Sequence, residues 1–356
     1  MNNKEDENSI RELRDTTASW AKGDGPLNHI VVSSRIRLAR NIKDIPFPFR
    51  ANNEQLKIVL EKSEKLVKEN ENFEKFKIIR LDDLASIIIQ FLVEKRLISI
   101  TQAQSDRAYR AFIYHSDEIL SVMVNEEDHY RIQCILSGFQ LKKVWEMIDY
   151  YDDQIGREIE YAFNENEGFL TCCPTNVGTG LRASVMMHLP ALIIKNQLNE
   201  LMDTISKKGY AVRGFYGEGT DFQGNLFQIS NQSTLGLKEE EMIDKLESVC
   251  IQLIEKEEEV RNELMIHSKQ KVEDQVMRAY GILTNARMIS TNEALELLSK
   301  IRFGVELGIL TEIGYDTINR LMLIIQPGYL QLLKGLNMSQ EQRDLIRATL
   351  IHELLH

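Results

Sequence analysis

Cysteine is scarce in this sequence, and its four cysteines do not have the spacing of a metal or redox site. Cys172 and Cys173 are adjacent, Cys134 and Cys250 stand alone, and no Cys-x-x-Cys pair occurs. Zinc and thioredoxin-like sites are therefore not indicated. Two adjacent cysteines could bridge only with strain, and no secretion signal opens the chain. We therefore expect reduced thiols in the cytoplasm.

Positive charge and long apolar runs are also in short supply. The 356 residues carry 43 Lys and Arg against 54 Asp and Glu, a net charge of −11. General binding to nucleic acid or to an anionic membrane is therefore not expected. Apolar runs such as 321–325 are too short to span a bilayer. The motifs of P-loop proteins and of protein kinases are missing too, which excludes both classes at the motif level.

The remaining composition is that of a soluble globular protein with an α/β (α+β) fold. Its length suits about two domains, and no internal repeat is visible. We expect a flexible segment at 1–28 in which only Trp20 docks on the body, a catalytic body at 29–267 and a helical domain at 268–356. The patterns predict strands at 31–38, 168–173, 210–215 and 226–229, a hairpin at 119–135, and helices at 52–69, 141–153, 238–267 and 339–355.

A turn rich in proline and glycine begins at Cys173 and ends near Arg182. We interpret it as a strand-to-helix turn, with helical sequence continuing to about residue 208. Such a turn offers backbone N–H groups and a positive helix end to an anion, and Arg182 lies where it reaches a phosphate. An ordinary loop is the alternative at this point.

Charged residues recur at strand spacing in two other segments. Arg35 and Arg37 are two apart and so project from one face of the predicted strand. Glu127, His129 and Arg131 also share a face if their strand stays regular. Solvated strand faces would explain both patterns equally well. A third segment places Arg213 before a glycine-flanked Glu218, which is typical of a loop that closes over a site.

Taken together, these segments resemble the signature sequences of the phosphagen (guanidino) kinases. The resemblance rests on 173–179, Ser33-Ser34-Arg35-Ile36-Arg37, Asn125-Glu126-Glu127-Asp128-His129-Tyr130-Arg131 and Arg213-Gly214-Phe215-Tyr216-Gly217-Glu218. The stretches 33–41 and 173–192 are similar to the McsB type of bacterial protein-arginine kinase in particular. The resemblance extends over nearly the whole chain. It implies an antiparallel β-sheet flanked by helices, with a C-terminal helical domain linked to dimerisation.

The resemblance also implies a role for each matched residue. Arg35, Arg37, Arg131, Arg182 and Arg213 clamp the phosphates of ATP, which binds with Mg²⁺. Glu127 and Glu218 grip the substrate guanidinium, with Cys173 beside it, and no protein-bound metal is implied. Arg96 stands where related protein-arginine kinases are expected to carry a histidine near the nucleotide. The remaining implied nucleotide-site residues are Ser33, Ser34, Ile36, Ala183, Ser184, Val185, Met186, Gly214, Phe215, Tyr216 and Gly217.

A final segment, Arg343-Asp344-Leu345-Ile346-Arg347-Ala348, resembles the phosphoarginine pocket of the protein-arginine kinases. On its own it reads as a salt-bridged helix surface, with Arg343 and Arg347 one turn apart. The family implies proteins with exposed arginine as substrates, an activating adaptor of the McsA type, a Clp protease as partner of the marked proteins, and a homodimer. A small-guanidine phosphagen kinase and an inactive phosphoarginine-binding module remain the alternatives.

Overall fold

An antiparallel β-sheet of eight strands forms the centre of the protein. The computed structural model describes residues 3–104, 107–214, 223–335 and 337–355. The strands of the chain are β1 (Val31–Arg40), β2 (Phe76–Arg80), β3 (Ala111–His115), β4 (Leu120–Val124), β5 (Tyr130–Ser137), β6 (Phe163–Asn164), β7 (Gly168–Phe169), β8 (Leu181–His188), β9 (Tyr210–Arg213) and β10 (Leu226–Asn231). The sheet has the order β2-β3-β4-β5-β1-β8-β10-β9, while β6 and β7 form a separate short ribbon.

Helices cover both faces of this sheet. Helix boundaries follow local chemistry, as at Asn52, whose side chain accepts a hydrogen bond from the N–H of Gln55 while the Gln55 side chain accepts one from the N–H of Asn52. The helices are α1 (Asn3–Asp15), α2 (Asn53–Glu69), α3 (Ser86–Glu94), α4 (Ile100–Gln104), α5 (Leu141–Glu158), α6 (Pro190–Ile194), α7 (Leu198–Lys207), α8 (Glu239–His267), α9 (Lys269–Asn285), α10 (Thr291–Glu306), α11 (Tyr315–Ile324), α12 (Pro327–Lys334) and α13 (Gln340–Leu355).

Alternation along the central strands sends side chains into two different cores. On one face Ile36 and Leu38 join a cluster with apolar residues of α2, α5 and α8. On the other face Ile135, Met186 and Leu226 join a second cluster with α3 and the helices after α8. Because the sheet is covered on both sides, its central strands are apolar on both faces, except where the site described below opens.

A buried ion pair lies on the first of these faces. The guanidinium of Arg40 donates to both carboxylate oxygens of Asp152, at 2.6 Å for the shortest contact, and to the carbonyl oxygens of Ala39 and Thr179. The central carbon of the Arg40 guanidinium also lies 3.6 Å from the centroid of the Phe169 ring. The positive charge of Arg40 is therefore fully compensated by the protein, unlike the charges of several arginines on the opposite face of the sheet.

Most of the predicted elements are confirmed. The strand predicted at 31–38 is β1, the hairpin at 119–135 is β4 and β5, and the helix at 52–69 is α2. The α+β fold class, with its antiparallel sheet and C-terminal helices, is confirmed as well. The chain leaves α8 at His267 and enters α9 at Lys269, beside the predicted domain boundary, and that division stays a prediction.

Three local expectations are wrong. The described part of the predicted flexible segment, residues 3–28, is not a flexible tail, because α1 buries Ile10 and Leu13 in the second core and Trp20 is only 2% exposed. The strand predicted at 168–173 has just two residues, Gly168 and Phe169. The turn that follows leads into the strand β8 rather than into a helix, and the helical sequence expected up to residue 208 is limited to α6 and α7.

The described residues contain no helix that is both long and apolar enough to cross a membrane. Within the same part of the chain, no three His, Cys, Asp or Glu side chains gather into a potential metal site.

Candidate active site

An open cavity of about 480 Å³ lies on the second face of the sheet. Many of the residues singled out from the sequence line it, although they come from separate segments of the chain. The set comprises Arg35, Arg37, Arg96, Glu127, Arg131, Cys173, Arg182 and Arg213. The structure therefore brings these basic, acidic and thiol side chains to one hollow, while the role of each stays a prediction.

Strand register explains why these arginines converge. Arg37 of β1 is directly paired with Arg182 of β8 on one side and with Gln133 of β5 on the other. Arg131 is paired with Ala39 two residues further along β1, and Arg213 with Gln228 of β10. Directly paired residues in an antiparallel sheet project to the same face. Four strands thus deliver their cations to one surface.

Three of these arginines, Arg35, Arg37 and Arg182, are poorly compensated by the described part of the protein. Arg35 donates to the side-chain oxygen of Gln228 at 2.7 Å, a neutral acceptor. Among the described residues, the buried Nε atoms of Arg37 and Arg182 have no hydrogen-bond partner. Burial, followed by repulsion from neighbouring arginines, lowers the pKa of all three guanidinium groups. Such a cluster favours a polyanion that supplies the missing acceptors.

Arg131 differs from these because it has a carboxylate partner that the sequence analysis missed. Glu126 is 3% exposed and accepts hydrogen bonds from Arg131 at 2.8 and 2.9 Å and a shorter one from the hydroxyl of Ser99. Burial alone would raise the pKa of Glu126, but Arg131 and Ser99 outweigh it and lower the pKa. The acidic turn five residues before Arg131 was the signal that could have identified this pair.

The segment between β4 and β5 is a loop, so the expected common face of Glu127, His129 and Arg131 is wrong. Asn125 has φ +57°, and strand geometry resumes only at Tyr130. Glu127 is exposed and lines the cavity, and its pKa is raised by partial burial and by the neighbouring Asp128. A carboxylate with a raised pKa is a better proton acceptor.

His129 is instead fully buried and holds the loop in place. Its Nδ1 accepts from the N–H of Ile42 at 3.0 Å, and its Nε2 donates to the carbonyl of Pro46 at 3.0 Å. This pattern requires a neutral ring, and burial lowers the pKa of His129 to about 4. The histidine therefore has a structural role beside the cavity.

Cys173 lies at the start of a single tight turn, Pro174–Asn176, that precedes β8. The expected α-helix N-terminus is therefore absent from this described turn and cannot contribute to an anion site, so the prediction of an anion site here rests on Arg182 alone. The thiol Sγ is 3.0 Å from the hydroxyl of Thr175. At Gly180, φ is +65° and a Cβ would lie 2.6 Å from the carbonyl oxygen of Ala39, so glycine is needed where the turn joins the sheet.

Asp128 joins this turn to the acidic loop. One of its oxygens accepts from the backbone N–H of Cys172 at 2.7 Å and from the side-chain amide of Asn41 at 2.6 Å. The thiol of Cys173 and the carboxylate of Glu127 therefore sit on two segments that a single buried carboxylate fastens together. Sequence reasoning did not assign this function to Asp128.

Other predicted nucleotide-site residues are not brought to the cavity. Ser184 contacts the Nε of Arg35 at 3.4 Å, while Ser33 and Met186 are buried beside the site and Gly214 is buried at the end of β9. The side chains that lie on the opposite face of the sheet are Ser34, Ile36, Ala183 and Val185. The predictions for Phe215, Tyr216, Gly217 and Glu218 lie outside the described residues.

The predicted phosphoarginine pocket lies on α13, and its two arginines are not equivalent. Arg347 is 1% exposed and donates to the carbonyl oxygens of Ile325 and Ile289 and to the carboxylate of Asp344. Arg343 is partly exposed and donates to the carbonyl of Met338. Ala348 is buried next to this group. Asp344 therefore already holds one guanidinium, and the pocket stays a prediction.

Comparison with known proteins adds to this geometry. Residues 58–260 match the family model of the ATP:guanido phosphotransferase C-terminal catalytic domain, and residues 269–356 match the protein-arginine kinase McsB C-terminal domain. Similar relatives include the protein-arginine kinases of Bacillus subtilis, 46% identical over 97% of this chain and 95% of that protein, and of Moorella thermoacetica, 46% identical over 95% of this chain and 97% of that protein.

Solved structures agree at the level of the fold. A lombricine kinase crystal structure is 24% identical, with a TM-score of 0.58 over 66% of this chain and 68% of that chain. A duplicated taurocyamine kinase from Schistosoma mansoni is 23% identical, with a TM-score of 0.59 over 67% of this chain and 36% of that chain. The chain thus belongs to the ATP:guanido phosphotransferase family, in its protein-arginine kinase branch.

Proposed function

We propose that this enzyme transfers the γ-phosphoryl group of ATP to arginine side chains of proteins. The observation that carries the proposal is that a cluster of arginines meets Glu127 and Cys173 in one cavity. An arginine cluster suits the polyphosphate of the donor, and a carboxylate beside a thiol suits the cationic guanidinium of the acceptor.

On the donor side, Arg35, Arg37, Arg131, Arg182 and Arg213 bind the phosphates of ATP. The transferred group passes through a loose, anionic transition state, which fixed positive charges stabilise. The poor internal compensation of Arg37 and Arg182 supports this role, because each keeps a donor atom without a protein acceptor among the described residues. Magnesium enters as part of the MgATP substrate, with phosphate oxygens among its ligands.

On the acceptor side, the substrate guanidinium must lose a proton as its nitrogen attacks. Its pKa exceeds about 12, so it arrives as a poor nucleophile. Glu127 aligns it and, together with Glu218, accepts the proton as the N–P bond forms and the bond between the γ-phosphorus and the β,γ-bridging oxygen breaks, with ADP leaving. The raised pKa of Glu127 supports its part in proton acceptance. Cys173 orients the guanidinium from the adjoining turn.

In the C-terminal helical domain, we propose that Arg343, Asp344, Arg347 and Ala348 bind phosphoarginine and regulate the enzyme. Arg343 and Asp344 are the accessible members, since both are partly exposed while Arg347 is buried. The phosphate would bind Arg343, and the guanidinium of the ligand would compete with Arg347 for the Asp344 carboxylate.

The proposal also covers the cellular setting. The enzyme acts in the cytoplasm as a homodimer, is activated by an adaptor of the McsA type, and marks proteins for degradation by a Clp protease during stress. The resemblance to the protein-arginine kinases supports these points. The proposed requirement for magnesium rests on the same resemblance.

The direct test offers MgATP together with an unfolded protein and free arginine, followed by mass spectrometric location of acid-labile phosphate. Phosphoarginine in the protein is the expected result. Label on free arginine alone would favour a small-guanidine kinase. Label on neither would favour an inactive phosphoarginine-binding module. Glu127→Gln protein serves as the matched control. It measures any phosphate that is incorporated without transfer in the cavity.

A further inference from the structure

Arg96 occupies a backbone position that glycine usually fills. After α3, the N–H of Arg96 donates to the carbonyl of Val93 at 2.9 Å, and the N–H of Leu97 donates to that of Leu92 at 3.0 Å. This bonding is typical of a helix that ends in a left-handed residue, and φ of Arg96 is +64°. The left-handed conformation is less favourable for arginine than for glycine, because the Cβ comes too close to the following carbonyl oxygen. Such an exception at a cavity wall indicates that its side chain is used.

The side chain of Arg96 lies over the indole ring of Trp20. The central carbon of the guanidinium is 4.5 Å from the ring centroid, which is the geometry of a cation–π contact. Arg96 also lines the cavity, where Val93, Ile98 and Met123 supply apolar surface. After burial, Arg96 is the largest cause of the lowered pKa of Arg35, so its guanidinium belongs to the cationic cluster that suits the nucleotide.

Trp20 is itself firmly held. It is 2% exposed, and its ring N–H donates to the carbonyl of Lys95 at 3.3 Å. The ammonium group of Lys95 donates to the carboxylate of Glu118 at 2.7 Å and to the carbonyl of Thr16 at 3.1 Å. Lys95 at the end of α3 thus holds the N-terminal segment through Thr16 and forms a buried ion pair with Glu118, between β3 and β4.

We propose that Trp20 is a positioning residue for the nucleotide. Its ring fixes the planar guanidinium of Arg96 at the cavity wall, so the N-terminal segment completes the nucleotide site. A long arginine side chain loses considerable rotamer freedom when it binds, and a stacked ring removes that freedom in advance. This proposal rests on the proposed function for the identity of the nucleotide as ATP.

The first test separates KM from kcat. Trp20→Leu is expected to raise KM for ATP about three- to tenfold. Neither kcat nor KM for the protein substrate is expected to change, because the indole ring is buried and acts through Arg96. Trp20→Phe keeps an aromatic ring in the core and is expected to give a smaller rise, which covers the case in which Trp20→Leu does not fold. An unchanged KM for ATP in a folded variant would overturn the proposal.

A double-mutant cycle shows whether Trp20 acts through Arg96. Arg96→Gly suits the left-handed backbone, so it is expected to be as stable as the parent while KM for ATP rises. In that background, Trp20→Phe is expected to have no further effect on KM for ATP. A full additional rise would mean that Trp20 acts by another route, and the proposal would fall.

Nucleotide binding can also be read without any phosphoryl transfer. The chain has two tryptophans, so Trp145→Phe leaves Trp20 as the single indole reporter. Titration with MgATP is expected to change Trp20 emission, and the change is expected to be lost in the variant that also carries Arg96→Gly. An unchanged emission at saturating MgATP contradicts the proposal. This titration contains no phosphoryl acceptor. Its result therefore does not depend on which acceptor the enzyme phosphorylates.

Discussion

Arg37→Met is expected to stabilise the nucleotide-free protein while removing its affinity for ATP. Arg37 faces the cavity, and its buried Nε has no hydrogen-bond partner among the described residues. Burial and repulsion from Arg35, Arg131 and Arg182 lower its pKa well below the usual value. Methionine fills a similar volume without a charge, so the folded protein loses an unfavourable interaction.

The size of the stabilisation expected for Arg37→Met depends on how completely the Arg37 charge is removed from water. Even a buried ion pair can be replaced by apolar residues with a neutral effect or a gain of about 1–4 kcal/mol, and Arg37 lacks the ion pair's compensating attraction. Because Arg37 keeps part of its surface exposed to the open cavity, the lower half of that range, about 1–2 kcal/mol, applies. For a chain of this size the corresponding rise in Tm is about 1–3 °C. Arginine is therefore retained at this position for binding and not for stability.

Thermal unfolding with and without MgATP measures both effects. Saturating MgATP at about 100 times Kd should stabilise the parent by about 2.7 kcal/mol, and this gain should vanish in Arg37→Met. Arg40→Met is the matched control on the same strand, because its guanidinium is paired with Asp152 at 2.6 Å. It is expected to lose about 3–5 kcal/mol. A lower Tm for nucleotide-free Arg37→Met than for the parent would refute the reasoning.

Glu127→Gln is expected to fold normally, because the side chain is exposed, and to lose about 10²–10³-fold in kcat, measured by phosphoarginine formation. Cys173→Ser is expected to keep its fold and lower the rate of transfer, and full activity would contradict an orienting thiol. Burial lowers the pKa of His129 to about 4, so the neutral ring stabilises the folded protein in full at pH values above the ordinary pKa of 6.5. That contribution is lost as the pH falls through 4, and denaturant unfolding of His129→Gln at several pH values should show a flatter profile. Asp344→Ala is expected to weaken the binding of a phosphoarginine peptide in fluorescence anisotropy, and unaltered binding would remove the regulatory pocket.

The parts of the fold that the sequence predicted well have a strong local pattern. The alternation in β1 placed Arg35 and Arg37 on one face and Ile36 and Leu38 on the other, as the two cores require. The hairpin of β4 and β5 also followed from β-rich runs on either side of an acidic turn. Patterns of this kind are set by burial on one or both faces of the sheet.

The errors occur where tertiary contacts override the local pattern. Strand β8 is buried on both faces, so it lacks the alternation that separates a strand from a helix. The positive φ of Asn125 breaks the expected alternation before His129. In α1, charged neighbours conceal the two core residues Ile10 and Leu13.

Site residues that act through other side chains were harder to find than those that line the cavity. The roles of Glu126 and Asp128 depend on Arg131 and on the backbone of Cys172, which only the fold brings near. The stack of Trp20 on Arg96 joins segments far apart in the chain. The acidic turn before Arg131 is the one local signal for these pairs, and the others leave no pattern in the sequence.

The most direct test of the central claim is a crystal structure with MgADP, nitrate and an arginine-containing peptide. Nitrate is planar and anionic, as the phosphoryl group is in a loose transition state. The account predicts that the nucleotide phosphates and nitrate contact Arg35, Arg37 and Arg182, and that the peptide guanidinium contacts Glu127 on the other side of the nitrate. A nucleotide bound outside this cavity, or a guanidinium remote from Glu127, would contradict the account.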